Sequence, residues 1–431
     1  MSDDATVQFE ARMSGGATQS ACPDRHASFV KLVYSRGVLL LAIAAPGGIR
    51  LLQLAAFTAL YGLTASGVAA SALNVAQLLG TVSAIGFCSL LLTRLPSSDQ
   101  GPSRCAITGR LLVAMLITTL AVLAVGFICS ALMGQIRWFG AVSILVLGWS
   151  VQQFARHVLI AMRQYLLALL HDFIFMGASF ALLWIGRKGV FDLFVFSAAF
   201  ASCCALSILV PFFAYRSSKS LFATLASTRS DFQPGIGLGA NNLLSAAPSL
   251  LLVPAVSLFA GHTAAGLIAF ASNILNVLGL IPRAMSINTL VKMVDRASIA
   301  TSSGELKRSI HRYLAVTMPL FVVALLYGVH AYATRLAWFE LTGSLLLMLA
   351  FALQQLALPV SNVLMKRERT AGPVLAGAAS SAAFVLICSI GYVLAPTLDL
   401  RLAPFLGVAV AGCVRFALLT YQARSVERAD A

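Results

Sequence analysis

Residues 51–80, LLQLAAFTALYGLTASGVAASALNVAQLLG, recur as LLLVPAVSLFAGHTAAGLIAFASNILNVLG at residues 250–279. At this shift of 199 residues, twelve of the thirty aligned positions are identical. Leu and Ala matches come cheaply in an apolar chain. The pairs Gly62/Gly261, Thr64/Thr263, Gly67/Gly266, Asn74/Asn273 and Gly80/Gly279 do not, and Gln77 faces Asn276 in the same register. A second anchor follows at a shift of 202, where Gln152, Gln153 and Ala155 match Gln354, Gln355 and Ala357. The chain is therefore an internal duplication.

The medium in which each copy folds follows from composition. Hydrophobic residues are 59% of the chain and charged residues 10%, with a mean hydropathy of +0.89. So few charges cannot coat a soluble body of 431 residues. Apolar stretches reach the ~20 residues that a helix needs to cross ~30 Å of hydrocarbon. Twelve crossings are expected: Val38 to Tyr61, Gly67 to Leu92, Leu111 to Gly134, Trp138 to Ala161, Tyr165 to Ile185, Phe191 to Ala214, Ile236 to Leu258, Ala264 to Met285, Tyr313 to Ala333, Trp338 to Leu364, Pro373 to Ala395 and Ala403 to Tyr421. The fold class is an all-α polytopic membrane protein with two six-helix lobes. The expected divisions are a polar cytosolic tail at 1–36, lobes at 37–214 and 236–422, a linker at 215–235 and a short tail at 423–431. Six crossings return the chain to the same side, so the lobes relate by a pseudo-two-fold axis along the membrane normal, an arrangement typical of alternating-access transporters.

Charge orients the bundle. With the N-terminus inside, 24 of the 30 Lys and Arg fall on inner segments and helix ends, Arg94, Arg110, Arg156, Arg216 and Lys292 among them. This positive-inside bias puts both termini in the cytosol and accounts for the net charge of +15 without nucleic acid. The eight cysteines lie mostly in apolar stretches, with no metal or disulfide spacing. No Walker loop, HExxH or GxSxG occurs, so neither a nucleotide site, a metal, a cofactor nor an enzyme activity is expected.

Arg50 stands near the centre of crossing one, where an arginine costs about 2.5–3.5 kcal/mol on insertion scales and is expected to face a cavity or a partner. Pro46, Gly47 and Gly48 precede it, and Pro248 and Pro254 occupy crossing seven. These residues predict bent or broken helices at corresponding places, the pattern that marks a transport site. A guanidinium there suits a diphosphate, to which it presents a fork of donors. Asn74 and Gln77 share one helix face, as do Asn273 and Asn276. With Gln152 and Gln354 they offer amides to sugar hydroxyls, or serve equally well as glue between helices. Asp172 is a coupling candidate for a proton or cation, a partner for Arg50, or a solvated interfacial carboxylate. Arg415, six residues from Tyr421, is expected to snorkel.

The segment Leu54 to Gly67, LAAFTALYGLTASG, resembles the first hairpin of Wzx-type polysaccharide flippases, in which a short turn leads into a Gly-rich second helix. Leu60 to Thr64 with Gly67 carry the likeness, and Phe259 to Thr263 with Gly266 repeat it. These flippases belong to the multidrug/oligosaccharidyl-lipid/polysaccharide exporter superfamily. The resemblance implies a carrier of undecaprenyl-diphosphate-linked oligosaccharide, moving it from the inner to the outer leaflet of a bacterial inner membrane for surface polysaccharide synthesis. Its partners would be that lipid-linked substrate, membrane lipids and other polysaccharide-assembly proteins. A multidrug or small-molecule exporter of the same fold is the alternative, and a peptidoglycan-precursor flippase a third reading. A membrane-embedded polysaccharide polymerase or ligase is the alternative of another class, disfavoured by outer loops too short to hold the chemistry.

Overall fold

The computed structural model describes residues 25–95, 101–187, 189–215, 229–279, 315, 338–366, 371–394 and 401–429. Ten α-helices account for nearly all of them: α1 (Arg25–Gly80), α2 (Gly86–Arg94), α3 (Gly101–Leu132), α4 (Ile136–Ala161), α5 (Tyr165–Gly186), α6 (Leu193–Tyr215), α7 (Arg229–Leu278), α8 (Trp338–Lys366), α9 (Ala371–Leu394) and α10 (Ala403–Ala429). A π-helical turn, Thr81–Ile85, joins α1 to α2. Eight helical spans among the described residues are long and apolar enough to cross a membrane, and two of these, Ala45–Arg94 and Ser230–Val277, are of double length. Their outer faces carry large apolar side chains such as Leu120, Ile128, Ile185 and Leu386, a surface that suits lipid and not water. Crossing nine, Tyr313 to Ala333, lies outside the described residues apart from Ala315, and so does the end of crossing eight.

The double-length helices are the two copies of the repeat, and each folds back at one glycine. Gly62 has φ 81° and ψ 172°, and Gly261 has φ 85° and ψ 169°. This backbone region is accessible to glycine almost alone, so each copy turns where its sequence permits and nowhere else. Beyond the turns the copies meet. A Cβ on Gly67 would strike the carbonyl of His262 and the amide of Gly266, and a Cβ on Gly266 would strike the carbonyl of Leu63. Leu63 and His262 are themselves repeat mates, so the contact is reciprocal, as a two-fold axis requires. Thr64 and Thr263 close the same end with a hydrogen bond of 2.8 Å. Thus α1 and α7 pack together more extensively than any other described pair.

The breaks expected at Pro46, Gly47 and Gly48 and at Pro248 and Pro254 are not there. Both helices run through these residues, and their only non-helical torsions are at Gly62 and Gly261. A proline withholds one N–H, which strands the carbonyl four residues earlier. For Pro46 that carbonyl is Ala42, and it accepts a hydrogen bond from Arg156 Nη2 of α4. For Pro248 it is Leu244, which accepts from Ser381 Oγ of α9 at 2.7 Å. At Pro46 and Pro248 a neighbouring helix thus supplies the missing donor. Two boundaries also shift: α1 is already helical from Arg25, inside the expected tail, and α7 begins at Arg229, inside the expected linker.

Candidate functional site

Arg50, Gln53, Leu54, Phe57 and Tyr61 recur at helical spacing and form one stripe along the first arm of α1. This stripe is a wall of a cavity of about 250 Å³. Opposite stand Ser179 and Leu183 of α5, Phe196 and Phe200 of α6, Ala69 and Leu73 of the second arm of α1, and Asn273 of α7. The aromatic rings interlock: Phe57 lies 4.9 Å from Tyr61, 5.3 Å from Phe196 and 5.6 Å from Phe191, centroid to centroid. Asp192 sits at the rim, where its Oδ1 caps α6 by accepting from the amides of Phe194 and Val195. The chamber is thus an aromatic cup with a guanidinium in its wall.

That guanidinium is held by neutral groups. Arg50 Nη1 donates to Gln77 Oε1 at 2.5 Å and Nη2 to Asn74 Oδ1 at 2.6 Å. Asn74 and Gln77 lie three residues apart, so one face of the second arm presents both oxygens to the two nitrogens of the fork. Among the described residues no carboxylate forms an ion pair with Arg50. Two amides fix the direction of the charge without neutralising it. An anion entering the cup would meet a positioned guanidinium that no carboxylate neutralises among the described residues.

The remaining sequence candidates are distributed differently. Asn273 does reach the cavity, and its Nδ2 donates to the Ala269 carbonyl at 2.8 Å. Asn276 is exposed and outside the wall. Gln152 is buried and accepts from Gln153 Nε2 at 2.8 Å, while Gln354 donates to Ser249 Oγ at 2.9 Å, and neither lines the cavity. Asp172 is neither solvated nor paired with Arg50. It is buried against Arg156, whose Nε lies 3.0 and 3.2 Å from the two carboxylate oxygens, with His171 Nδ1 at 3.4 Å. Arg156, read from sequence as an inner helix end, is equally buried, because its charge is met by Asp172 and its fork by the Ala42 carbonyl. Arg415 does not snorkel either: its Nη1 donates to the Ser245 carbonyl at 3.1 Å, tying α10 to α7. Sequence reading missed Gln53 and the aromatic wall. The signal for Gln53 was its place three residues after Arg50, on the same face. Nothing in the sequence distinguishes Phe191 or Phe196 from lipid-facing phenylalanines.

No family model matches the sequence, and neither does any curated relative. Solved structures do match in three dimensions. The lipid II flippase MurJ in an inward closed conformation aligns with a TM-score of 0.65 at 14% identity, over 89% of this chain and 87% of that one. An inward-facing multidrug resistance MATE family transporter of the MOP superfamily aligns with a TM-score of 0.56 at 14% identity, over 91% of this chain and 96% of that one. With its two related halves and its apolar exterior, this chain is a multi-pass membrane protein with the fold of the MATE transporters and of MurJ.

Proposed function

We propose that the protein is a flippase of the multidrug/oligosaccharidyl-lipid/polysaccharide exporter superfamily, translocating an undecaprenyl-diphosphate-linked oligosaccharide across a bacterial inner membrane by alternating access. The observation that carries this reading is Arg50: a guanidinium in the wall of a membrane-embedded cavity, oriented by Asn74 and Gln77 and paired with no carboxylate among the described residues. In a low-dielectric setting such a charge calls for an anion, and the diphosphate is the anionic part of this substrate class. Asn273, Gln53 and Ser179, which also line the cavity, offer donors and acceptors to the first sugar. At about 250 Å³ the cavity is smaller than the roughly 300–1,000 Å³ of drug-sized sites, a size that suits a headgroup and not a whole glycan. The positive-inside bias supports a reading in which the substrate enters from the cytosolic side.

The multidrug alternative draws on the aromatic wall, since Phe57, Phe191 and Phe196 would suit flat apolar molecules. Arg50 argues against the cationic members of that group, because like charge in the cavity repels them. Reconstitution separates the two readings. Proteoliposomes loaded on one leaflet with undecaprenyl-diphosphate-linked sugar are expected to show protein-dependent movement to the other. Movement of a cationic dye instead, with the glycolipid stationary, would establish the drug-exporter reading.

A further inference from the structure

The two halves also meet at the basic end of the bundle. Asp231 lies in the first turn of α7, and its side chain is wholly buried. Arg94, at the end of α2, donates Nη1 to Asp231 Oδ1 at 2.7 Å. Arg110 of α3 donates Nη2 to the same oxygen at 2.9 Å and Nε to Oδ2 at 3.1 Å. Arg94 Nη2 further reaches the Ser230 carbonyl at 3.2 Å. The arginines belong to the first half and the carboxylate to the second, so every one of these bonds crosses the seam. Beside them the backbones touch: a Cβ on Gly86 would strike the Gly235 carbonyl, and Phe87 packs edge-on against Phe232 at 6.5 Å. This end is closed.

The exposure of the three groups is unequal. The carboxylate is at 0%, whereas the side chains of Arg94 and Arg110 remain 33% and 32% exposed. Solvent therefore meets the cationic side of the cluster. Two guanidiniums converging on one carboxylate form the arrangement that also grips a phosphoryl group, which brings more charge and more acceptor oxygens than a carboxylate does. We propose that Arg94 and Arg110 form an entry subsite for a phosphate-bearing headgroup, held shut by the Asp231 carboxylate, which the headgroup displaces. This rests on the reading that the transported group is anionic and enters from the basic, cytosolic end. The energetics are consistent with a switch. A ligand shifts an equilibrium only by its differential affinity for the two states, and a phosphate reaches these donors only after Asp231 has left them.

The test measures opening of the seam directly. In full-length protein with its eight native cysteines replaced, spin labels go at Leu92→Cys and Gln233→Cys, both exposed and on opposite sides of the seam. Pulsed dipolar spectroscopy in nanodiscs then reports their separation. Inorganic pyrophosphate is expected to add a longer-distance population, enlarging the open fraction on the order of tenfold, the usual scale of coupling between sites. Asp231→Asn, which is isosteric, is expected to show that population without pyrophosphate. Arg94→Ala with Arg110→Ala is expected to open the seam and to lose the pyrophosphate response. Undecaprenyl diphosphate in the nanodisc is expected to act as pyrophosphate does, while phosphatidylglycerol alone leaves the seam closed. A closed Asp231→Asn protein would overturn the latch. A full pyrophosphate response in the double arginine variant, or opening by phosphatidylglycerol alone, would overturn the entry subsite. Export by Arg50 variants reports the cavity and these distances report the latch, so the two readings fail separately.

Discussion

Thr64 and Thr263, 199 residues apart in the chain, share a hydrogen bond of 2.8 Å between their hydroxyls. They are the same residue of the two repeat copies, so the bond lies where the copies exchange equivalent contacts, with Gly67 and Gly266 packed beside it. Such a contact closes the hairpin end of the seam in this conformation. Under the proposed alternating access, the protein has to break it on each cycle. Thr64→Cys with Thr263→Cys, in a background without the native cysteines, is therefore expected to form an oxidant-dependent crosslink that stops transport and a reductant that restores it. Efficient crosslinking with undiminished transport would show that the halves need not part here.

Gly62 and Gly261 set the second prediction. Both hold φ above +80° with ψ near 170°, a conformation that costs a residue bearing a Cβ about 1–3 kcal/mol. No heavy atom lies within 4 Å of the Cβ that either would gain, so the cost is backbone strain and not collision. Gly62→Ala and Gly261→Ala are each expected to lower the melting temperature in detergent. Replacement by D-alanine through semisynthesis should leave it near the wild-type value. Wild-type melting in both L-alanine variants would place the turns elsewhere.

Ser381 and Pro248 make a third. The hydroxyl satisfies the Leu244 carbonyl that the proline strands. Ser381→Ala alone should cost about 0.6 kcal/mol, the average for such contacts between membrane helices. In a Pro248→Ala background the helix supplies its own donor, and the same substitution should cost little. Equal losses in both backgrounds, measured as a double-mutant cycle, would break the link between the two residues.

The buried pair Arg156 and Asp172 carries the fourth. Removing one partner leaves an unmet charge, so Arg156→Leu is expected to destabilise by about 3–5 kcal/mol. Arg156→Leu with Asp172→Leu should recover much of that loss, short of the hydrogen bond to Ala42. Steady-state abundance in the membrane and thermal melting both report it. A double variant no better than the single would mean that Asp172 acts through some group other than Arg156.

The division between what could be read early and what could not has a physical basis. The repeat was legible because Gly62, Gly67 and Thr64 serve the turn and the seam, where few other residues fit, so both copies retain them. Arg50 was legible because charge within hydrocarbon is costly. The prolines misled because the sequence shows a missing donor but not the distant residue that replaces it: Arg156 lies 114 positions from Ala42, and Ser381 lies 137 from Leu244. Asp231 stayed hidden for the same reason, since its partners Arg94 and Arg110 are 137 and 121 positions away. Periodicity says which face a residue shares, and long-range partners come only with the packed fold.

The central claim is that Arg50 anchors an anionic headgroup, and the most direct measurement is surface polysaccharide in a strain lacking the native gene, complemented by Arg50 variants of verified membrane abundance. Arg50→Ala is expected to abolish export. Arg50→Lys should restore it only in part, because an ammonium keeps the charge and cannot span Asn74 and Gln77 as the fork does. Normal export by Arg50→Ala at normal abundance would contradict the account.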